Sequence, residues 1–406
     1  MTTTTIPDSQ VDDRLARRNA LILATAQAIG GSTGPIVIGV GGLAGHYLLG
    51  ADKSLATLPV AAFVVGVAVG TIPAALLMRQ VGRRLGFQAG ALFSMLGGAV
   101  AAYAILIGSF WLLCLGTAFS GVSFAFVQQY RFAAADTASV GFRPKAISWV
   151  LAGGVVTGVL GPQVVIGTRE VFAPIPFAGA FVAQVGLGMV LLVVLAFLRI
   201  PLPPRIEEGG GSGRSIVKVA AQPRFVVAVV CAAVSYALMS LVMTASPLAM
   251  VDHHLTETQA MLGIQWHVIA MFAPSFLTGP LIARYGKEPV IAFGLLLLAG
   301  SAAIALAGVT LWHFWIGLVL LGVGWNFGFI GGTAMVTDTY TPDERAKMQA
   351  TNDFSIFTLQ AVASLSSGAM LSLWGWEAVN LIVFPFVGLA MTLLTWVWLS
   401  DRRVVA

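Results

Sequence analysis

Charge is what this 406-residue chain has least of. Asp, Glu, Lys and Arg together make up 10% of it, against about a quarter in an ordinary soluble domain. With a hydrophobic fraction of 58%, that shortage excludes a water-soluble globular protein. Cysteine is nearly missing. Cys114 and Cys231 both fall inside apolar stretches, so no disulfide framework is implied. No nucleophile–base pair, phosphate-binding glycine loop or paired carboxylates stand out, which argues against an enzyme and against a resident cofactor.

What is present is a succession of apolar runs, each near the roughly 20 residues a helix needs to cross a bilayer. The pattern predicts an all-α membrane protein with twelve transmembrane helices. They lie near 20–45, 55–78, 87–108, 110–134, 146–169 and 175–198, then near 224–250, 260–284, 288–308, 312–336, 350–374 and 376–400. The expected organisation is a disordered cytoplasmic N-terminus (1–18) with no cleavable signal peptide, a six-helix bundle (19–198), a cytoplasmic linker (199–223), a second six-helix bundle (224–400) and a short cytoplasmic tail (401–406). The linker, "RIPLPPRIEEGGGSGRSIVKVAAQP", is rich in Pro, Gly and charge and reads as flexible.

The few charges are placed with strong bias. With the N-terminus in the cytoplasm, every basic residue except Lys53 and Arg169 falls in an inner segment, as the positive-inside rule requires. Both termini are therefore expected in the cytoplasm. The net charge of +5 reports orientation, and nucleic-acid binding has no place in this account.

The two halves repeat one another. "RQVGRR" (Arg79–Arg84) follows the second expected helix and "ARYGKE" (Ala283–Glu288) the eighth, their glycines, Gly82 and Gly286, 204 residues apart. "DTASVGFR" (Asp136–Arg143) follows the fourth and "DTYTPDER" (Asp338–Arg345) the tenth, at an offset of 202. Two landmarks at nearly one offset indicate a duplicated unit. On these loops the chain resembles the major facilitator superfamily, whose loop motif reads G-x-x-x-D-R-x-G-R-R/K. Arg79 and Ala283 stand where that motif has Asp. Arg83, Arg84, Asp136, Arg143, Asp338 and Arg345 are candidates for gating ion pairs, with plain anchoring as the competing reading. Gly154-x-x-x-Gly158-x-x-Gly161-Pro162 is similar to a motif of exporters in that superfamily, and is also how membrane helices pack closely. Gln27, Gln128, Gln129, Asn326, Asp353 and Gln360 are polar positions inside apolar helices and candidates for lining a central cavity. No acidic residue falls clearly at mid-membrane, so no proton-coupling carboxylate is assigned.

One stretch gathers soft donors. Between Met239 and Met271 lie five of the 13 methionines and three of the five histidines. Met239 and Met243 are i and i+4 on the seventh expected helix, and His267 and Met271 stand in the same relation on the eighth, so each pair shares a face. Counting about 1.5 Å per residue, Met239 and Met271 lie roughly 20–22 Å above the inner boundary and Met243 and His267 roughly 26–28 Å. Thioether and imidazole donors at matched depth suit Cu(I). Methionine as a core gap-filler is the alternative reading. Met250, His253, His254 and Met261 are candidates for a metal entrance, against a reading as an incidental loop cluster. Cys231, four residues apart in series with Ser235, Met239 and Met243, is a candidate exit relay, against a reading as an inert buried thiol.

M-x-x-x-M followed by H-x-x-x-M on these helices resembles the CcoA-like copper importers. That resemblance implies a bacterial inner-membrane protein importing copper as transported substrate through Met239, Met243, His267 and Met271, for cbb3-type cytochrome oxidase. A cytoplasmic copper chaperone would be the partner, and the carrier is expected as a monomer in the lipid bilayer. Two other functions stay open: a proton-coupled carrier of an organic solute or drug, and a copper-binding sensor or assembly partner without transport.

Overall fold

The computed structural model describes residues 13–50, 53–139, 142–200, 214–341 and 344–405. The first half comprises α1 (Asp13–Gly31), α2 (Thr33–Leu48), α3 (Leu58–Val81), α4 (Arg83–Leu106), α5 (Phe110–Val127), α6 (Tyr130–Asp136), α7 (Arg143–Thr168) and α8 (Ala178–Ala196). After α9 (Ile216–Ala220) come α10 (Pro223–Asp252), α11 (Glu257–Phe272), α12 (Ser275–Tyr285), α13 (Lys287–Ala307), α14 (Leu311–Val336), α15 (Arg345–Leu381) and α16 (Val383–Val405).

The expected twelve crossings are recovered once the broken helices are joined. α1 with α2, α5 with α6, and α11 with α12 each make one crossing, bent at a short interruption. In α15 the backbone leaves helical geometry at Gly375, where φ is 78°, a conformation glycine reaches without Cβ strain. Residues before Gly375 make the eleventh crossing and those after it, with α16, the twelfth. The repeat seen in the loops is structural too: Gly82 and Gly286 have φ of 84° and 91° and each separates two spanning helices.

Two bundles result. α3 packs on α5, α4 on α5 and α8, and α1 on α7; in the second bundle α13 packs on α14, α10 on α14 and α15, and α11 on α14. Close approach relies on missing side chains, since a Cβ at Gly121 would overlap the Phe63 carbonyl and one at Gly66 the Ala118 carbonyl. The outward faces carry Val69, Trp111, Leu373 and Trp374, apolar side chains suited to lipid. For reference, the end of the molecule at which α1 begins and α16 ends is the basic end, and the opposite one the far end.

At the basic end, carboxylates tie neighbouring helices. Arg83 pairs with Asp136, and Lys287 with Asp338, at equivalent places in the two bundles. Arg224 joins Glu288 at 2.7 Å and Asp338 at 3.0 Å, and also pairs with Asp401. Each of these pairs lies inside one bundle. They latch helices within a half and do not span the gap a gate would close. Arg143 donates to the Ala138 carbonyl beside it, and Arg84 and Arg345 are exposed.

Three boundaries differ from the sequence expectation. α1 starts at Asp13, inside the stretch read as disordered, while residues 1–12 lie outside the described residues. α16 continues to Val405, through most of the expected tail. Residues 201–213 of the linker lie outside the described residues, but 214–223 is not a loose tether. The Arg214 backbone N–H and side chain donate to Glu344 at 2.7–2.9 Å and Arg214 Nη2 to the Thr339 carbonyl at 3.0 Å. Lys347 donates to the Arg214 carbonyl.

Hydrogen bonds from Arg214 and the Thr341 N–H hold the Glu344 carboxyl well below its usual range. A carboxyl whose pKa is depressed on folding stabilises fully above its unfolded value and loses that contribution as pH falls below it. Glu344→Gln is therefore expected to lower the melting temperature in detergent by a constant gap at neutral pH. The gap should narrow as pH falls below about 4.5. A gap that does not change between neutral pH and acid would contradict this reading.

Candidate functional site

A cavity lies between the bundles. Its wall draws on α1, α2, α3, α5, α6 and α7 from the first half and on α10, α11, α14 and α15 from the second. Counting about 1.5 Å per residue from the basic end, Arg131 and Asp353 lie roughly 8–12 Å in, Trp325 and Tyr236 roughly 16–20 Å, and Met239 and Met243 roughly 24–30 Å. The wall thus runs from charged, through aromatic, to apolar.

The aromatic layer is ordered by mutual packing. The Trp325 and Phe329 rings stack at 5.1 Å with 13° between planes. They are i and i+4 on α14, so they share a face. Tyr236 stands edge-on to both, at 5.3 and 5.1 Å, and reaches Phe357 at 6.0 Å. Phe272 closes on Trp325 at 6.4 Å. All five line the cavity, and all five come from the second bundle. The sequence reading missed them, because an aromatic in an apolar helix carries no contrast. The one available signal was Trp325 itself, a large ring set among glycines in "GVGWNFGF".

Polar groups face the same space. Gln27, Gln128, Gln129, Asp353 and Gln360 line it, as the sequence suggested. Asn326 does not. Its amide donates to the Met271 carbonyl at 2.6 Å and to Ser275 Oγ at 2.7 Å, and Thr278 donates to its Oδ1. It staples the break between α11 and α12, where Pro274 removes a backbone donor. Three buried polar atoms with no protein partner belong to cavity residues: Arg131 Nε, Ser240 Oγ and Trp325 Nε1. Leaving such an atom unbonded costs about 1–3 kcal/mol.

The four residues assigned to copper are not arranged alike. Met239, Met243 and Met271 line the cavity, but His267 is not among its lining residues. The His267 ring is fully buried, with Nδ1 2.7 Å from the Leu318 carbonyl on α14. Cys231 is also off the wall, its Sγ 3.9 Å from the Ala390 carbonyl on α16. The physical reason is helical drift: each four-residue step turns the face by about 40°, so three steps from Cys231 to Met243 turn it by about 120°. The expected entrance is divided as well. Met250 and Met261 are buried, and Met261 fills the space above Gly39, whereas His253 and His254 are exposed. Among the described residues no cluster of three or more His, Cys, Asp or Glu side chains is placed to hold a metal.

The far end of the cavity is closed by contacts between the bundles. α7 lies along α11, and a Cβ at Gly154 would meet the Phe272 ring while one at Gly158 would meet Ile269. Gly154 and Gly158 are thus a packing groove for the opposite half, while Gly161 lies against Pro35 of its own half. Arg169 Nη1 pairs with Glu257 at 2.9 Å, and Gln163 donates to Gln265 at 2.9 Å. A capping box fixes the start of α11, with Thr256 and Gln259 each bonding the other's backbone N–H. That start holds Glu257 in the first turn, in reach of Arg169. Among the described residues no ion pair joins the bundles at the basic end.

Comparison with known proteins fits this architecture. Residues 228–406 match the family described as the Major Facilitator Superfamily. A riboflavin transporter, RfnT of Brucella anthropi, is 50% identical over 384 residues, covering 94% of this chain and 96% of that protein. An MFS-type transporter of Bacillus subtilis, YdeG, described as uncharacterized, is 31% identical over 91% of this chain and 89% of its own. Among solved structures, the xylose transporter XylE from E. coli, in a partially occluded inward-open conformation, superposes with a TM-score of 0.68 at 12% identity. It covers 92% of this chain and 96% of that one.

The expectation of a copper importer is overturned by the riboflavin transporter that matches half of its residues over nearly the whole length. The two short Met and His motifs had supported it. An organic solute, the alternative reading of the sequence, agrees with that relative and with the cavity.

If the Arg169–Glu257 pair helps hold the far end shut, Glu257→Gln is expected to open it more often. With Cys114 and Cys231 replaced and Ser240→Cys placed on the cavity wall, a membrane-impermeant thiol reagent applied from the far side should label Glu257→Gln several-fold faster. Equal labelling rates would show that the ion pair does not hold the closure.

Proposed function

We infer the function from lineage and cavity together: this chain belongs to the major facilitator superfamily, and the reading its cavity supports best is a carrier of riboflavin or a closely related flavin. The observation that carries it is the stacked Trp325–Phe329 wall beside unpaired Arg131, Ser240 and Trp325 polar atoms, in a chain half identical to a riboflavin transporter. Riboflavin is a flat tricycle with a methylated hydrocarbon edge, a polar dione edge and a ribityl chain of hydroxyls. A flat aromatic solute stacks on Trp and Phe faces. Its ribityl hydroxyls bond the amides and hydroxyls of Gln27, Ser240, Gln360 and Thr244, which line the same space. Met239, Met243 and Met271 become the soft apolar end, where polarizable sulfur packs against a ring.

Movement across the bilayer follows from the two-bundle build. The cavity is closed at the far end by α7 on α11 and by Arg169 on Glu257. Rocking one bundle against the other about the bound solute would exchange that closure for one at the basic end. The bias of Lys and Arg toward the basic end supports both termini in the cytoplasm of a bacterial inner membrane. The wall is built within one chain, so a monomer suffices. Copper, its chaperone and delivery to an oxidase have no role in this reading.

Expression in a riboflavin-requiring bacterium is the test. The wild-type chain should permit growth at lower external riboflavin and saturable uptake of labelled riboflavin. Stacking on an aromatic face is worth roughly 1–3 kcal/mol, so Trp325→Ala should weaken apparent affinity by about fivefold to about 150-fold. The combined Met239→Leu, Met243→Leu and Met271→Leu variant, which keeps apolar volume without sulfur, should retain uptake within about threefold. No flavin uptake by the wild type overturns the proposal. Loss of uptake in the methionine variant at normal protein levels would instead give sulfur a specific role.

A further inference from the structure

The charged part of the cavity holds two groups of opposite sign that do not join. Arg131 is on α6 of the first bundle and Asp353 on α15 of the second, and both line the cavity. They lie within electrostatic reach of one another, yet no ion pair links them among the described residues. Asp353 accepts one hydrogen bond, at 3.0 Å, from the side chain of its neighbour Asn352. The Arg131 guanidinium lies 4.8 Å over the Phe132 ring, and its Nε is buried with no partner. Among the described residues, every ion pair of the basic end that ties helices together lies within one bundle. Arg131 and Asp353 stand one in each bundle.

A donor fork and a carboxylate on one cavity wall, not bonded to each other, are complementary to a ligand edge that alternates acceptor and donor. Arg presents several N–H groups in a rigid plane and a carboxylate only accepts. A cyclic imide, C(=O)–NH–C(=O), has that alternation, and the dione edge of a flavin is one. Resting on the flavin reading above, we propose that Arg131 and Asp353 read this edge. Arg131 donates to a ring carbonyl oxygen and Asp353 accepts from the imide N–H, so that the solute completes a bridge between the two bundles. The hydrocarbon edge then points toward Met239 and Met243, at the far end of the cavity. This orientation makes the imide proton the specificity determinant. A site built to bond a particular N–H rejects an analogue lacking it, because its own buried group is left unpaired.

The test compares riboflavin with riboflavin methylated at the imide nitrogen, using full-length protein in detergent and following quenching of flavin fluorescence. Wild type should bind the methylated flavin at least tenfold more weakly. In Asp353→Ala, riboflavin should weaken to the level of the methylated flavin, leaving the two within about twofold. In Arg131→Ala both should weaken together, since both keep their carbonyls. Equal binding of the two flavins by wild type, or tenfold discrimination surviving in Asp353→Ala, would overturn the imide contact while leaving flavin transport standing. Failure of wild type to bind riboflavin would remove both. The ligand-side comparison needs no variant and holds even where a substitution disturbs folding.

Discussion

The lie of α7 along α11 is the contact on which the rest of the molecule depends. Gly154 and Gly158 remove the side chains that would hold the two helices apart, and Phe272 and Ile269 occupy the space. That approach brings Arg169 to Glu257 and Gln163 to Gln265. It shuts one end of the space between the bundles and leaves its width elsewhere to the large side chains of α10, α14 and α15. A bilayer offers no water to polar groups, so unpaired donors are tolerable only where they face protein or an enclosed space. The unpaired atoms of Arg131, Ser240 and Trp325 are buried, on residues that line such a space.

Recognition is divided between the halves. The second bundle supplies Tyr236, Phe272, Trp325, Phe329 and Phe357 together with Ser240, Thr244, Asp353 and Gln360, while the first supplies Gln27, Gln128, Gln129 and Arg131 together with Phe63, Phe124 and Phe132. A solute that stacks on one and bonds the other is held best when both are in place, which is how binding energy can draw the bundles together. Asp353 on α15 and Arg131 on α6 bring charge to the cavity from both bundles.

Much of this was legible in the residue order, and the reasons differ by feature. The crossings were visible because apolar runs of membrane length are long signals, and the duplication because Gly82 and Gly286 do the same backbone work in each half. Gln27, Gln128, Gln129, Asp353 and Gln360 were legible as cavity candidates because a polar group in an apolar helix needs a reason. Asn326 satisfied the same rule for another reason, a broken helix needing donors. The aromatic wall was not legible, since Trp325 and Phe329 look like any lipid-facing or core residue until the helices are placed. The copper reading failed where spacing was asked to stand for geometry. His267 and Met271 share a face by count, but the His267 ring bonds the Leu318 carbonyl and Met271 lines the cavity. Methionine is ambiguous in sequence because one side chain serves as soft ligand and as apolar wall.

On the flavin reading, the space between the bundles takes a flat organic solute and not a metal ion. Purified protein in sealed lipid vesicles, offered labelled riboflavin or labelled copper in parallel, tests it most directly. The account predicts saturable accumulation of riboflavin, suppressed by excess unlabelled flavin and indifferent to copper. Accumulation of copper with none of riboflavin would contradict it.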